Sequence, residues 1–421
     1  MHFQTEALHA GYEKDSQSTM AVPIYMSTAY EFRDVEHAAN LFALKELGNI
    51  YTRLNNPTTD VFEKRFATLE GGEAAIATSS GMSAIFFAIA NAAEAGDNIV
   101  CASQLYGGSL TLFSHQLKRF GIEARFFDVQ NPQAAEALID EKTKVIFFET
   151  LTNPSIDVAN ISALVEIADA HGILSVVDNT VATPALCQPL KFGVDVVVHS
   201  ASKYTTGQGL AIGGIMVERK GLVEKIKDNA RYMHFNEPDP SYHGLVYVDV
   251  PLPIYSLRAR LSLLRDLGSV SSPFNSWLFI QGLETLHLRM KEHSHNALLV
   301  AEFLEKHPMV SRVNYPGLKS NSNYGNAQRY FENGQASGLL SFEVASLETA
   351  KAIVDATKLF SLVVNIGDSK SIITHPASTT HQQLSSEELD ACGVPSGLIR
   401  LSIGLENASD LIADIAQALE A

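Results

Sequence analysis

At 421 residues the chain exceeds what one hydrophobic core usually fills, which implies two or more domains. Its formal net charge of -16, with no run of Lys and Arg, argues against nucleic acid or an anionic membrane as partner, since either needs a basic face. Cys101, Cys187 and Cys392 are far apart and lack Cys-x-x-Cys spacing, so neither a disulfide framework nor a zinc site is indicated. Residues 1–6 lack the basic end and apolar core of a signal peptide, and no apolar stretch is long enough to span a bilayer, so a cytoplasmic protein is expected.

Residues 1–56 scatter Gly, Pro and polar residues around one amphipathic stretch at 35–47 and read as an arm unable to form a core alone. From there to about 268, helical patterns at 60–69, 82–95, 110–120 and 161–171 alternate with short apolar runs. Those runs lie at 98–102, 124–127, 144–149, 173–178, 194–199 and 213–217. Such alternation predicts an α/β large domain (57–268) with a largely parallel sheet covered by helices. The stretch 232–253, with four prolines among Tyr and His, is too long for a plain connection. A helical pattern over 275–306 and period-two runs at 338–344 and 398–403 predict a smaller α+β unit, 269–421.

Two of the apolar runs end in chemistry. The run 173–178 ends in Asp178, and the run 194–199 is followed by Ser200-Ala201-Ser202-Lys203-Tyr204. Both therefore sit at strand carboxyl ends, the edge where open α/β sheets build their sites. An amine able to form a Schiff base and an acid able to hold a ring nitrogen protonated are what pyridoxal phosphate requires. Taken singly, Lys203 reads as a solvated lysine and Asp178 as a strand-end cap or metal ligand; the pairing favours the cofactor. Thr78-Ser79-Ser80-Gly81-Met82 precedes a helical run, so the amides of Gly81 and Met82 would meet an anion at a helix N-terminus, with Ser200 and Ser202 adding hydroxyls. The alternative makes Ser80 or Gly81 a plain helix cap and the two serines strand-end hydroxyls.

Tyr106, beside Gly107-Gly108, can stack on a flat cofactor and move protons, or simply pack over the core as a loop tyrosine. Asn153-Pro154 offers an amide to the cofactor's ring oxygen, or marks a turn. Arg400, within the run 398–403, needs a partner if buried: a substrate carboxylate or an internal salt bridge. The run Gly207-Gln208-Gly209-Leu210-Ala211-Ile212-Gly213 has its last glycine one place late for a dinucleotide fingerprint, and no P-loop, His-Glu-x-x-His or Gly-x-Ser-x-Gly pattern occurs.

These residues together resemble the Cys/Met-metabolism enzymes that use pyridoxal phosphate: the cystathionine γ-synthases, cystathionine lyases, methionine γ-lyases and O-acetylhomoserine sulfhydrylases. The resemblance covers almost the whole chain. It rests on Tyr51-Thr52-Arg53 with Asn56-Pro57-Thr58, Ser80-Gly81-Met82, Tyr106-Gly107-Gly108, Glu149 with Asn153-Pro154, Asp178-Asn179-Thr180, Ser200-Ala201-Ser202-Lys203-Tyr204, His375-Pro376-Ala377-Ser378 and Arg400-Leu401-Ser402-Ile403-Gly404. It implies a fold-type I homotetramer of two tight dimers, with Lys203 as the Schiff-base lysine, Asp178 as the pyridinium partner and Tyr106 as the stacking ring. Gly81, Met82, Ser200 and Ser202 become phosphate donors and Arg400 the carboxylate clamp. It also implies that Tyr51 and Arg53 reach from the arm into the neighbouring subunit's site. Ser202 stands where threonine is common, which keeps the hydroxyl, and Ser83 where alanine is usual.

Within the family the chain is most similar to the sulfhydrylases, in its length, its insertion at 237–244, and Val364-Asn365-Ile366-Gly367-Asp368 ahead of Ser371 and His375. Asn365 occupies a place where many lyases have serine and is expected to help hold the substrate carboxylate. The expected reaction is γ-replacement on O-acetyl-L-homoserine by sulfide, or by sulfur delivered on a carrier protein, giving L-homocysteine and acetate. The alternatives are a cystathionine γ-synthase or methionine γ-lyase type reaction on the same scaffold and, more remotely, a non-enzymatic binding protein.

Overall fold

The structure is a computed structural model that describes residues 1–379, 382 and 393–420; Cys392 lies outside the described residues. A seven-stranded sheet has the order β1-β7-β6-β5-β4-β2-β3. Its strands are β1 (Ala74–Thr78), β2 (Asn98–Ala102), β3 (Glu123–Phe127), β4 (Thr143–Glu149), β5 (Leu174–Asp178), β6 (Val196–Ser200) and β7 (Gly214–Glu218). All neighbouring pairs from β6 to β3 are parallel, and β7 runs antiparallel to β6 and to β1. The valines of the central strands, Val176, Val177 and Val196 to Val198, are fully buried, as expected of strands covered on both faces.

The six apolar runs of the sequence are β2 to β7; β1 is an addition. Its sequence, Ala-Ala-Ile-Ala-Thr, carries little of the branched and aromatic character that marks a strand. It is held instead by its ladder with β7, from Ala74 opposite Glu218 to Thr78 opposite Gly214.

The Pro57–Glu70 helix begins at a cap legible in the sequence: the Asn56 side chain accepts from the amides of Thr58 and Thr59, with proline in the first turn. The helical pattern at 82–95 ends early, as Gly81–Ala90, and that at 110–120 lies within a continuous helical stretch whose middle, Leu112–Gln116, is π-helical. The pattern at 275–306 resolves into two helices, Pro273–Glu284 and Leu286–Leu304, broken at Thr285. The break has a cause. Arg289 donates through Nη2 to the carbonyl of Gly282 at 2.6 Å, taking an acceptor of the helical ladder, and through Nη1 to the carbonyl of Tyr204 at 2.6 Å. One side chain thereby fastens the helix to the turn that follows Lys203.

A second sheet, order β10-β11-β12-β9-β8, comprises β8 (Arg312–Asn314), β9 (Leu339–Glu343), β10 (Ser361–Leu362), β11 (Ile372–Thr374) and β12 (Leu398–Ser402). It is antiparallel apart from β10 with β11. The stretch 232–253 is a chain of short helical turns. Tyr232 roots it: its hydroxyl accepts from the Leu174 amide at 2.8 Å and donates to the Lys144 carbonyl at 2.5 Å. Cys101 and Cys187 are buried, and burial pushes both thiols well above their usual range. No helix among the described residues is long and apolar enough to cross a membrane.

Gly282 is a test of the Arg289 junction, because a Cβ there would overlap the Thr205 carbonyl. Gly282→Ala is expected to destabilise the protein by about 1–3 kcal/mol, the usual cost of overpacking, seen as a lower urea midpoint.

Candidate active site

The carboxyl ends of β1, β4, β5 and β6 open on one cavity of about 430 Å³, which Arg400 of β12 closes from the second sheet. Register explains the clustering: Glu149 lies opposite Asp178, Asp178 opposite Val198, and Ser200 opposite Gly214. The sequence therefore needs only to end each strand in a polar residue to gather all of them at one edge.

At one end of the cavity Ser80 caps the Gly81–Ala90 helix, its hydroxyl accepting from the Ser83 amide at 3.1 Å. The amides of Gly81 and Met82 belong to the first turn, where helical partners are lacking. Glycine is required at 81, since a Cβ would stand 2.6 Å from that of Ser200. Ser200 and Ser202 line the same end. The Ser202 hydroxyl is engaged by Gly213, accepting from its amide at 3.0 Å and donating to its carbonyl at 3.2 Å.

At the cavity wall two carboxylates sit on adjacent strands. Asp178 accepts from the Thr180 amide at 2.9 Å, and burial raises its pKa against that bond and the influence of His199. Glu149 is pushed up well above the carboxylate range, first by burial and then by Asp178. Beneath this edge Glu70 receives His199 Nε2 at 2.6 Å and the Asn179 amide at 3.0 Å, all three fully buried or nearly so. That contact ties the ends of β5 and β6 to the Pro57–Glu70 helix.

Lys203 Nζ donates to Asn365 Oδ1 at 2.5 Å. Burial, with Arg400 assisting, lowers its pKa to about 8. The Asn365 carbonyl in turn accepts from Arg400 Nη2 at 3.1 Å, and Arg400 Nη1 donates to Asn153 Oδ1 at 2.9 Å. The Asn153 amide donates to Glu149 Oε2 at 3.1 Å, while Glu149 Oε1 accepts from the Tyr106 amide at 2.7 Å. One run of contacts thus joins Lys203, Asn365, Arg400, Asn153, Glu149 and Tyr106.

Asn153 turns its side-chain oxygen to Arg400. Asn153-Pro154, a cis peptide, lies in a turn. Arg400 is 4% exposed and its Nε has no partner among the described residues; burial lowers its pKa to about 10. The salt-bridge alternative for Arg400 is not what the described residues form: its partners there are neutral, with Thr374 Oγ1 the third at 3.3 Å.

Tyr51 and Arg53 are not brought to this cavity. Both are exposed on the arm, the Arg53 guanidinium 5.4 Å from the Tyr51 ring centre, with Arg53 Nη1 donating to the Arg265 carbonyl at 2.7 Å. The sequence reading gave Glu149 no role of its own; its only signal was a carboxylate ending an apolar run beside the run that ends in Asp178. Leu210, Ile212 and Val364, which line the mouth and are each more than half exposed, were also passed over.

First-turn amides beside a serine hydroxyl, a buried and a half-buried carboxylate with no salt bridge to Lys or Arg among the described residues, and a half-buried amine of lowered pKa are complementary to a phosphate, a pyridinium and an aldehyde. An α/β fold with that set at its strand ends is a pyridoxal phosphate enzyme. The chain belongs to the Cys/Met metabolism PLP-dependent enzyme family, which it matches over residues 4–420. It is 48% identical to the O-acetyl-L-homoserine sulfhydrylase of Leptospira meyeri, covering 99% of this chain and 96% of that one. It is 46% identical to the homocysteine synthase of Schizosaccharomyces pombe, over 100% and 98%. A Campylobacter jejuni protein described as an O-acetylhomoserine (thiol)-lyase, solved with a pyridoxyl-lysine monophosphate, superposes with a TM-score of 0.99 at 53% identity, covering 100% of both chains.

Two outcomes test this geometry. Because the Lys203 amine loses its proton near pH 8, capture of pyridoxal phosphate by the cofactor-free protein should accelerate as pH rises toward that value and level off above it. Arg400→Gln removes one cause of the lowering and should move the midpoint up. Absorbance stopped-flow over a pH series reads both. Separately, Glu149→Gln leaves one oxygen where two amides need acceptors. The loss of one buried hydrogen bond should lower kcat/KM about tenfold, measured by steady-state kinetics with cofactor saturating.

Proposed function

We propose that the protein catalyses γ-replacement on O-acetyl-L-homoserine by a sulfide-level donor, giving L-homocysteine and acetate. The observation that carries this reading is Arg400: a buried guanidinium with neutral partners and an orphan Nε, joined through Asn365 to the Lys203 amine. A cation so placed favours a carboxylate ligand, and an amino acid whose carboxylate meets Arg400 brings its α-carbon toward Lys203. The names of the relatives, sulfhydrylase and homocysteine synthase, support the choice of substrate and product.

When bound, pyridoxal phosphate withdraws electrons from the substrate's α-carbon and makes the proton there acidic. The Gly81 and Met82 amides and the Ser200 hydroxyl would hold the phosphate, Ser202 would join them by turning its proton away from the Gly213 carbonyl, and Asp178 would keep the ring nitrogen protonated. Tyr106, which lines the cavity, would stack on the ring, and Asn153 is held at the cavity wall by its bond to Arg400. Lys203, with its lowered pKa, removes the α-proton and returns a proton at the β-carbon. Asn365 steers the Lys203 amine and, with Arg400, orients the substrate carboxylate. Tyr106 is the assisting acid or base as acetate leaves the γ-carbon and sulfur takes its place.

In this reading the division into an arm (1–56), a cofactor-binding domain (57–268) and a carboxyl-terminal domain (269–421) is functional. The arm's Tyr51 and Arg53 complete the neighbouring subunit's phosphate site, Tyr51 also facing its substrate, in a homotetramer of two tight dimers. The protein works in the cytoplasm, with free sulfide or a sulfur-carrier protein as donor.

The deciding experiment gives the cofactor-loaded protein O-acetyl-L-homoserine with sulfide and cysteine in competition. Homocysteine is the expected main product; cystathionine or 2-oxobutyrate would reassign the reaction to a synthase or a lyase. Lys203→Ala should lose both turnover and the visible absorbance of the bound cofactor, and a variant retaining both would overturn the role of Lys203.

A further inference from the structure

The insertion at 237–244 is not exhausted by the reaction, since none of its residues lines the cavity. It is nonetheless a built object. Asp239 pairs with Leu245 as an isolated bridge, and its Oδ1 accepts from the amide and hydroxyl of Ser241 at 2.8 and 2.7 Å. Its Oδ2 accepts from the Tyr247 hydroxyl at 2.8 Å. This frame presents Tyr242, 8% exposed, in two directions at once. The Tyr242 hydroxyl donates to the Phe42 carbonyl of the arm at 2.9 Å. Its ring lies beneath the guanidinium of Arg265, 5.4 Å from the ring centre. Arg265 is further held by Asp266 through two contacts, at 2.7 and 3.1 Å.

The Arg265 carbonyl is the acceptor that fixes Arg53. One turn earlier, Arg260 Nη1 donates to the Leu54 carbonyl at 2.7 Å while its Nη2 holds Glu63 at 2.7 Å. The arm is thus gripped at Phe42 and again at Arg53 and Leu54. Between the grips lie the exposed Leu47 and Tyr51, 72% and 42% accessible. A segment fixed at both ends presents its exposed tip in one direction, and none of its residues lines its own subunit's cavity.

We infer that Tyr242 and Arg265 are positioning residues for Tyr51 and Arg53, so that the insertion acts on the cofactor of the neighbouring subunit and not on its own. This rests on the proposed reading in which the arm completes the neighbour's phosphate site.

The test is complementation between full-length subunits carrying different tags, co-expressed and isolated as mixed assemblies. Lys203→Ala disables a subunit's own site; Arg53→Ala disables the neighbour's. A mixed pair then retains one site with both an intact lysine and an intact arm. Tyr242→Ala alone is expected to raise the pyridoxal phosphate dissociation constant about tenfold, the scale of one lost charged contact, and to lower activity at limiting cofactor. Paired with Lys203→Ala, it should recover one wild-type site, as Arg53→Ala does.

If Arg53→Ala complements and Tyr242→Ala does not, Tyr242 acts within its own subunit and the inference fails while the arm reading stands. If neither complements, the arm reading fails and takes the inference with it. Should Tyr242→Ala not fold, Tyr242→Phe keeps the ring under Arg265, loses only the bond to Phe42, and goes through the same pairing with the same two outcomes.

Discussion

A guanidinium buried among neutral oxygens is the constraint around which the site is arranged. Arg400 directs its donors to an amide oxygen, a backbone carbonyl and a hydroxyl, and its Nε has no partner among the described residues. A buried charge in that position is expensive without an anion. Its surroundings accordingly hold it by contacts that fix direction without neutralising charge. Asn153 and Asn365 bridge it to both sheets, and through them its position sets those of Glu149, Tyr106 and Lys203. Recognition of a carboxylate and placement of the reactive amine are therefore one mechanical unit.

The opposite wall has the opposite imbalance. Glu149 is buried and Asp178 half-buried, and desolvation raises both. In the proposed reading a cationic ring nitrogen beside Asp178 offsets that cost, so cofactor binding would relieve the carboxylates as substrate binding would relieve Arg400. Two uncompensated charges of opposite sign face one cavity. Each is answered by a different ligand, which lets the protein hold both without collapsing them into a mutual salt bridge. Distance is enforced by topology, since one charge sits on β5 of the large sheet and the other on β12 of the small one.

Much of this was legible in the sequence because it depends on where strands end. Apolar runs closing in Asp178 and in the turn to Lys203 placed both groups on one edge before any coordinate was known. Where a strand is mostly alanine, as in β1, pattern fails and only the ladder to β7 defines it. Where a helix is interrupted by an arginine that also reaches a distant carbonyl, as Arg289 reaches Tyr204 beside the break at Thr285, local propensity gives no warning. Glu149 reads as one more acid in a run; its importance comes from two amides reaching it from separate loops, 43 and 4 residues away. The arm is a third kind of case. Tyr51 and Arg53 have no chemistry within their own subunit, and it was their resemblance to a family motif that attached them to a site.

The buried thiols carry a consequence for how the molecule can be handled. Cys101 lies in β2 and Cys187 beside the Glu70–Asn179 contact, whose amide also donates to the Cys187 carbonyl. Both are closed to solvent and held protonated, so neither offers the thiolate that would attack an alkylating reagent. Labelling therefore requires β2 to open at Cys101 and the β5–β6 connection to lift at Cys187, which makes the two thiols built-in reporters of separate local openings, one in the sheet and one beside the active-site edge.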